Sequence, residues 1–220
     1  MKVLSVNVGL PRDVISKGKP VTTGIFKEPV EGRVRLRTLN LDGDRQADLK
    51  VHGGTDKAVY AYPAEHYDYW RRELPGVELP WGMFGENFTV EGLRENEINI
   101  GDQFRIGSAE LMVTQPRLPC YKLAVKFGRD DIIKRFLESG RTGFYFAVLK
   151  EGEVGAGDSI EMIGRDANDL TVAGVTRLYL QGKDDLEALE KALRVEALPP
   201  SWKAHFERQL EKLRATQTTR

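Results

Sequence analysis

Cys120 is the only cysteine in 220 residues, and it closes the stretch Gln115-Pro116-Arg117-Leu118-Pro119-Cys120. A lone cysteine cannot form a disulfide within the chain, and a structural zinc site takes several thiolates or histidines. Two readings stay open. Free cysteine is among the most buried residue types and packs as a small hydrophobe. Alternatively, two prolines stiffen a loop that holds one soft ligand or nucleophile near an arginine, a setting that favours the thiolate.

Three other stretches gather polar side chains around glycine. In Asp48 to Tyr60, His52, Asp56 and Lys57 surround Gly53-Gly54, offering an acid/base, a carboxylate and a cation where the backbone can approach a ligand. A tight turn with solvated charges has the same composition. In Phe84-Gly85-Glu86-Asn87-Phe88, Asn87 could aim a carboxamide inward or simply serve as a turn residue. In Ser139-Gly140-Arg141-Thr142-Gly143, backbone N–H groups, Arg141 and Thr142 could hold an anion, although a helix C-cap followed by a strand also explains both glycines. Zincin, thioredoxin-like and serine-hydrolase signatures are absent, and His66 and His205 fall in predicted amphipathic helices outside the site.

The elements that must position these residues read as mainly β with helices. Val3, Val6 and Val8 open a strand, and Val30 to Leu39 alternates apolar residues with Arg33, Arg35 and Arg37. Gln103 to Ile106 and Ala109 to Thr114 flank Gly107-Ser108 as a hairpin. Many short strands with glycine turns favour a barrel or sandwich. Helical spacing over Ala64 to Leu74 and Asp130 to Glu138 predicts two interrupting helices, the second with a core-facing stripe. After Gly164 three helical patterns follow, over Thr171 to Leu180, Lys183 to Leu193 and Pro200 to Leu213. The expected organisation is a domain over 1–163 and a three-helix domain over 164–220. Three short helices make a thin core, so their apolar faces should dock on the β domain or on a second subunit, which admits a homodimer.

Lys plus Arg equals Asp plus Glu at 33 each, so net charge gives no case for a nucleic-acid polymer or a membrane as partner. No apolar run of signal-peptide or membrane-spanning length occurs, and a soluble, cytoplasmic setting is the expectation.

Taken in order, these stretches resemble the MOSC domain family, named for the carboxy-terminal domain of molybdenum-cofactor sulfurase, and most closely its stand-alone YiiM-like branch. The resemblance rests on His52-Gly53-Gly54-x-Asp56-Lys57-Ala58-Val59-Tyr60, Phe84-Gly85-Glu86-Asn87-Phe88 and Gln115-Pro116-Arg117-x-Pro119-Cys120-x-Lys122-Leu123. Gly140-Arg141-x-Gly143 and Gly157-Asp158 follow in the expected order. It implies a MOSC β-barrel-like domain followed by a small three-helix C-terminal domain.

The resemblance also implies molybdenum cofactor, a phosphorylated pyranopterin dithiolene (molybdopterin), with Cys120 as the metal ligand. Lys57, Asn87, Arg117, Arg141 and Thr142 would hold pterin and phosphate, and His52 and Asp56 would handle protons. The implied reaction is two-electron reduction of small N-hydroxylated compounds such as 6-hydroxylaminopurine, a detoxification in which the cofactor supplies the redox chemistry. Tyr60, Tyr62, Trp81 and Phe84 could form a stacking pocket or be core. With no flavin, dinucleotide or iron–sulfur fingerprint in the chain, electrons would come from a separate reductase. The alternative is a carrier of cofactor or sulfur that uses Cys120 without turnover. A cysteine hydrolase is a third reading, and it lacks a motif.

Overall fold

Val3 and Val6 are both fully buried, although three residues apart on a regular strand they would face opposite sides. The strand that holds them, β1 (Lys2–Val8), shifts register between Val3 and Ser5 where it pairs antiparallel with Phe88–Glu91. Such a bulge resets the alternation and bends the strand. The computed structural model describes residues 1–48, 53–181 and 185–218.

Strands β2 (Arg12–Ser16) and β3 (Lys19–Thr23) form a separate hairpin, followed by β4 (Glu28–Pro29) and β5 (Arg33–Leu36). The long basic strand expected over Val30 to Leu39 is thus only β5. Arg33 and Arg35 face solvent as read, but a turn in which Arg37 N–H donates to Asn40 O at 2.8 Å ends it. Next come β6 (Val59–Pro63), α1 (Glu65–Glu73), β7 (Phe88–Glu91), β8 (Gln103–Ile106) and β9 (Ala109–Pro116). The β8–β9 hairpin turns at Gly107-Ser108 as expected, with Gly107 at φ 58°. Helices α2 (Tyr121–Phe127) and α3 (Ile132–Ser139), then β10 (Phe144–Lys150), β11 (Gly152–Gly155) and β12 (Ile160–Gly164), complete the sheet-rich part.

Eight strands form one sheet in the order β12-β8-β9-β10-β6-β7-β1-β4. Every pairing in it is antiparallel except β6–β7, whose crossover contains α1. Its far edge returns to β1: Lys2 bridges Ser159, and Ile160 N–H donates to Met1 O at 3.0 Å. That return closes the sheet into a barrel and leaves few open edges. The alternation along β6 then separates two cores. Val59 and Ala61 face the barrel interior, while Tyr60 and Tyr62 join Trp70, Phe84, Ile132 and Phe136 in an aromatic core outside it.

Helices α4 (Val172–Gln181), α5 (Leu186–Arg194) and α6 (Pro200–Thr218) follow. Their buried residues, among them Val175, Leu189, Trp202 and Phe206, belong to the same apolar cluster as the barrel interior. The helical faces therefore dock on the barrel, which removes the physical reason to require a second subunit.

Candidate active site

Strand β9 ends at Pro116, where its partner is Phe144, and Arg117 N–H donates to Gly143 O at 3.2 Å. The chain then runs through Pro119 to Cys120, half-buried at the start of α2. This segment lines a cleft enclosing about 640 Å³ of empty space, counting its open mouth. Residues of the Thr23 to Lys27 segment that follows β3 line it too.

Lys27, Arg45, Lys57, Arg117 and Lys122 all contribute to the lining, and among the described residues no carboxylate does. A low-dielectric cleft of one charge sign focuses its field on an incoming anion. Arg117 is the sharpest element. It is 5% exposed, its guanidinium lies 5.3 Å from the Tyr60 ring centroid and 5.0 Å from that of Phe136, and its Nη1 has no hydrogen-bond partner among the described residues. A buried cation without a counter-charge costs stability unless something pairs with it.

Asn87 lines the same cleft and points inward as read, but its partners are protein. Oδ1 accepts from Tyr60 N–H at 3.1 Å, and Nδ2 donates to Asp44 Oδ2 at 2.9 Å and to Asn7 O at 3.3 Å. Asp44 in turn accepts from Gly9 N–H and pairs with the buried Lys27. Asn87 thus pins the start of β6 to the cleft wall. Its neighbour Glu86 is fully buried and accepts from Gly82 N–H (2.8 Å), Phe84 N–H (3.0 Å), Thr89 Oγ1 (3.0 Å) and the Tyr67 phenol. Burial pushes its carboxyl above the usual range while these donors pull it back.

The structure does not bring every expected residue together. Lys57, Asn87, Arg117 and Cys120 share the cleft. Asp56 is not part of the lining; its carbonyl accepts from Thr114 Oγ1 at 2.7 Å and Gln115 Nε2 at 3.1 Å. His52 lies outside the described residues. Arg141 sits in a different depression with His66 and Arg94, its guanidinium 3.9 Å from the Tyr69 ring centroid and its Nη1 donating to Ser139 O at 3.0 Å. Thr142 is fully buried, and its carbonyl accepts from the Tyr60 phenol at 2.8 Å. The two glycines around them have structural reasons. Gly140 caps α3 at φ 65°, and a Cβ on Gly143 would meet Ala61 O at 2.5 Å. Arg141 and Thr142 therefore do not line the cleft that Lys57, Asn87, Arg117 and Cys120 share.

Of the aromatic residues singled out, Tyr60 and Phe84 line the cleft, whereas Tyr62 and Trp81 pack in the outer aromatic core. Tyr145 also lines it, and only its position on β10 opposite Gln115 reveals this. Burial raises its phenol above the ordinary value, so it keeps its proton.

Lys126 supports the cleft from behind, donating to Ile25 O at 3.0 Å and Gly82 O at 2.6 Å. Burial lowers its pKa to about 8. The unfolded lysine holds its proton up to about 10.5, so between those values the unfolded chain binds more protons and stability rises with pH. The cost, about 3 kcal/mol, is present in full below pH 8. Urea unfolding at pH 7 and pH 10 should therefore show the wild type gaining about that much relative to Lys126→Met. Equal pH slopes would refute it.

A barrel closed by β1, a docked helical trio and a cationic cleft presenting one thiol define a closed β-barrel protein with a helical appendage. Residues 48–161, just over half of the 220, match the MOSC domain, and residues 170–213 match the YiiM-like three-α-helix domain. The chain belongs to the MOSC domain family, in its YiiM-like form. It is 44% identical over 211 residues to the uncharacterized protein YflK of Bacillus subtilis, covering 96% of this chain and 95% of YflK. To the YiiM protein of Escherichia coli it is 39% identical, covering 84% and 83% of the two chains. A Gibberella moniliformis protein named as a reductase is 34% identical over 73% of this chain, which matches only 29% of that longer protein. The crystal structure of YiiM from Geobacillus stearothermophilus superposes with a TM-score of 0.81 at 34% identity, covering 95% and 98% of the chains.

Proposed function

We propose that this protein is a molybdenum-cofactor-dependent reductase of N-hydroxylated compounds, such as 6-hydroxylaminopurine, with Cys120 as the protein ligand to the metal. The observation that carries this reading is the buried, unpartnered Arg117 Nη1 in an acid-free cleft that also presents the only thiol of the chain. A phosphorylated, thiolate-bound cofactor fits that donor set. Arg117 and Lys57 would take its anionic group, and Cys120 would supply one soft ligand to a metal that brings its other sulfurs. The family and its reductase-named relative support an oxidoreductase over a bare binding protein.

When bound, the cofactor supplies the two-electron reduction R–NHOH + 2e⁻ + 2H⁺ → R–NH₂ + H₂O, with electrons from a separate reductase. The protein's share is orientation and protons. Tyr60 and Phe84 back the cleft wall, packed against Arg117 and Tyr62 respectively, and so shape the space a flat base would enter. Tyr145, whose phenol lines the cleft, can offer its Oη–H as a hydrogen-bond donor to the departing hydroxyl. Burial lowers the Lys57 pKa, which makes its ammonium a readier acid than an exposed lysine.

Protein purified from a host that makes the cofactor should contain molybdenum and, with reduced methyl viologen, convert 6-hydroxylaminopurine to adenine. Bound molybdenum without turnover would favour the carrier reading. The absence of both metal and turnover would defeat the proposal.

A further inference from the structure

Trp202, on α6, reaches the motif that leads to the thiol. Its indole Nε1–H donates to Gln115 Oε1 at 2.6 Å, and both residues are buried. The other end of that carboxamide, Nε2, donates to Asp56 O at 3.1 Å. An indole can only donate and a carbonyl can only accept, so these two partners fix which way the amide points. Asp56 belongs to the short turn Thr55–Lys57, itself closed by Lys57 N–H to Gly54 O at 3.1 Å. Gly54 enters that turn at φ 100°, and among the described residues nothing stands within 4 Å of where its Cβ would be. The turn is held from the end of β9 instead, where Thr114 Oγ1 donates to the same Asp56 carbonyl at 2.7 Å beside Gln115 Nε2. Side chains buried between helical trio and barrel are otherwise mainly apolar, with backbone bonds such as Ala173 N–H to Glu95 O at 2.8 Å where α4 begins, so the Trp202–Gln115 bond is a side-chain link that apolar docking alone does not require.

The geometry points to the helical trio as a positioning element for the cleft: Trp202, through Gln115, fixes the Thr55–Lys57 turn and thereby brings Lys57 alongside Arg117 onto one bound anion. The identity of that anion rests on the proposed cofactor reading; the relay does not. Trp202 and Gln115 are positioning residues, since neither lines the cleft.

The test uses the full chain free of cofactor, with inorganic phosphate as the probe in calorimetry. Trp202→Phe keeps a ring against Tyr179 and Phe206 but removes the N–H. It should weaken phosphate binding about fivefold to tenfold, as Lys57→Met does, and the double variant should be no weaker than Lys57→Met alone. Amide exchange over residues 53–58 should rise about tenfold with β10 unchanged. Gln115→Met removes both links and should behave alike, which settles the matter if Trp202→Phe folds poorly. Wild-type affinity in both variants, or losses that add in full to that of Lys57→Met, would overturn the relay while leaving the cofactor reading intact. A wild type that binds no phosphate would overturn both.

Discussion

Cys120→Ala is expected to abolish reductase turnover, by at least about 100-fold, with an unfolding midpoint indistinguishable from the wild type. The size follows from ligation: outer-shell partners of a metal ligand are alone worth about 10- to 100-fold, and this change removes the ligand itself. The structural innocence of the variant follows from local geometry. Cys120 is half-buried at the cleft and makes no capping hydrogen bond through its side chain. Its carbonyl accepts from Leu123 N–H at 2.9 Å, and alanine retains that bond. A change of this kind away from core packing is ordinarily worth less than about 0.5 kcal/mol. Cys120→Ser should not rescue, because a hard alcohol does not replace a soft thiolate. Turnover with methyl viologen and molybdenum per chain are the two measurements, and full activity in the alanine variant would reject the ligand role.

The parts of this architecture that were legible are those where a local pattern maps onto a buried face. Ile132 and Phe136 sit four apart and are both fully buried in α3, and the Gly107-Ser108 turn closes the β8–β9 hairpin. Trp202, Phe206 and Leu210 likewise recur at helical spacing and are buried. Helix α2 was not legible. Seven residues straight after two prolines are too few to establish a 3.6-residue period, and Lys122 and Leu123 are its only buried residues.

In the cleft, residue type was readable and partnership was not. Asn87 does turn inward, yet the atoms that meet its amide come from Asn7, Asp44 and Tyr60, which no spacing along the chain could reveal. The Gly140 to Gly143 segment shows the converse. Its composition suits an anion, but the αL cap at Gly140 and the crowding at Gly143 account for both glycines. Long-range pairings such as Trp202 with Gln115 exist only once the helices are seated on the barrel. What no local rule reports is which side of a strand becomes a cleft wall, and Tyr145 was missed for that reason.

Arg117→Met is expected to move stability and cofactor retention in opposite directions. In the cofactor-free chain the guanidinium is buried with no carboxylate among the described residues paired to it, and the faces of Tyr60 and Phe136 and the Tyr145 phenol offset its desolvation only in part. Methionine has similar length, no charge and the flexibility to fill the same space against those rings. Replacing an uncompensated buried charge by an apolar side chain should stabilise the cofactor-free fold by about 1–3 kcal/mol, read as a higher urea midpoint at unchanged slope. The same change removes a charge-assisted hydrogen bond to the bound anion, worth about 1.5–3 kcal/mol, so cofactor retention should fall by about 10- to 100-fold, read as molybdenum per chain after gel filtration. The two readouts discriminate sharply. If Arg117 served the fold, the midpoint would drop and occupancy would follow only through lost protein. A higher midpoint with lower occupancy is the signature of a residue kept for its ligand at the expense of the scaffold, as binding sites often are. Unchanged occupancy would remove Arg117 from the site and, with it, the principal support for an anionic cofactor in this cleft.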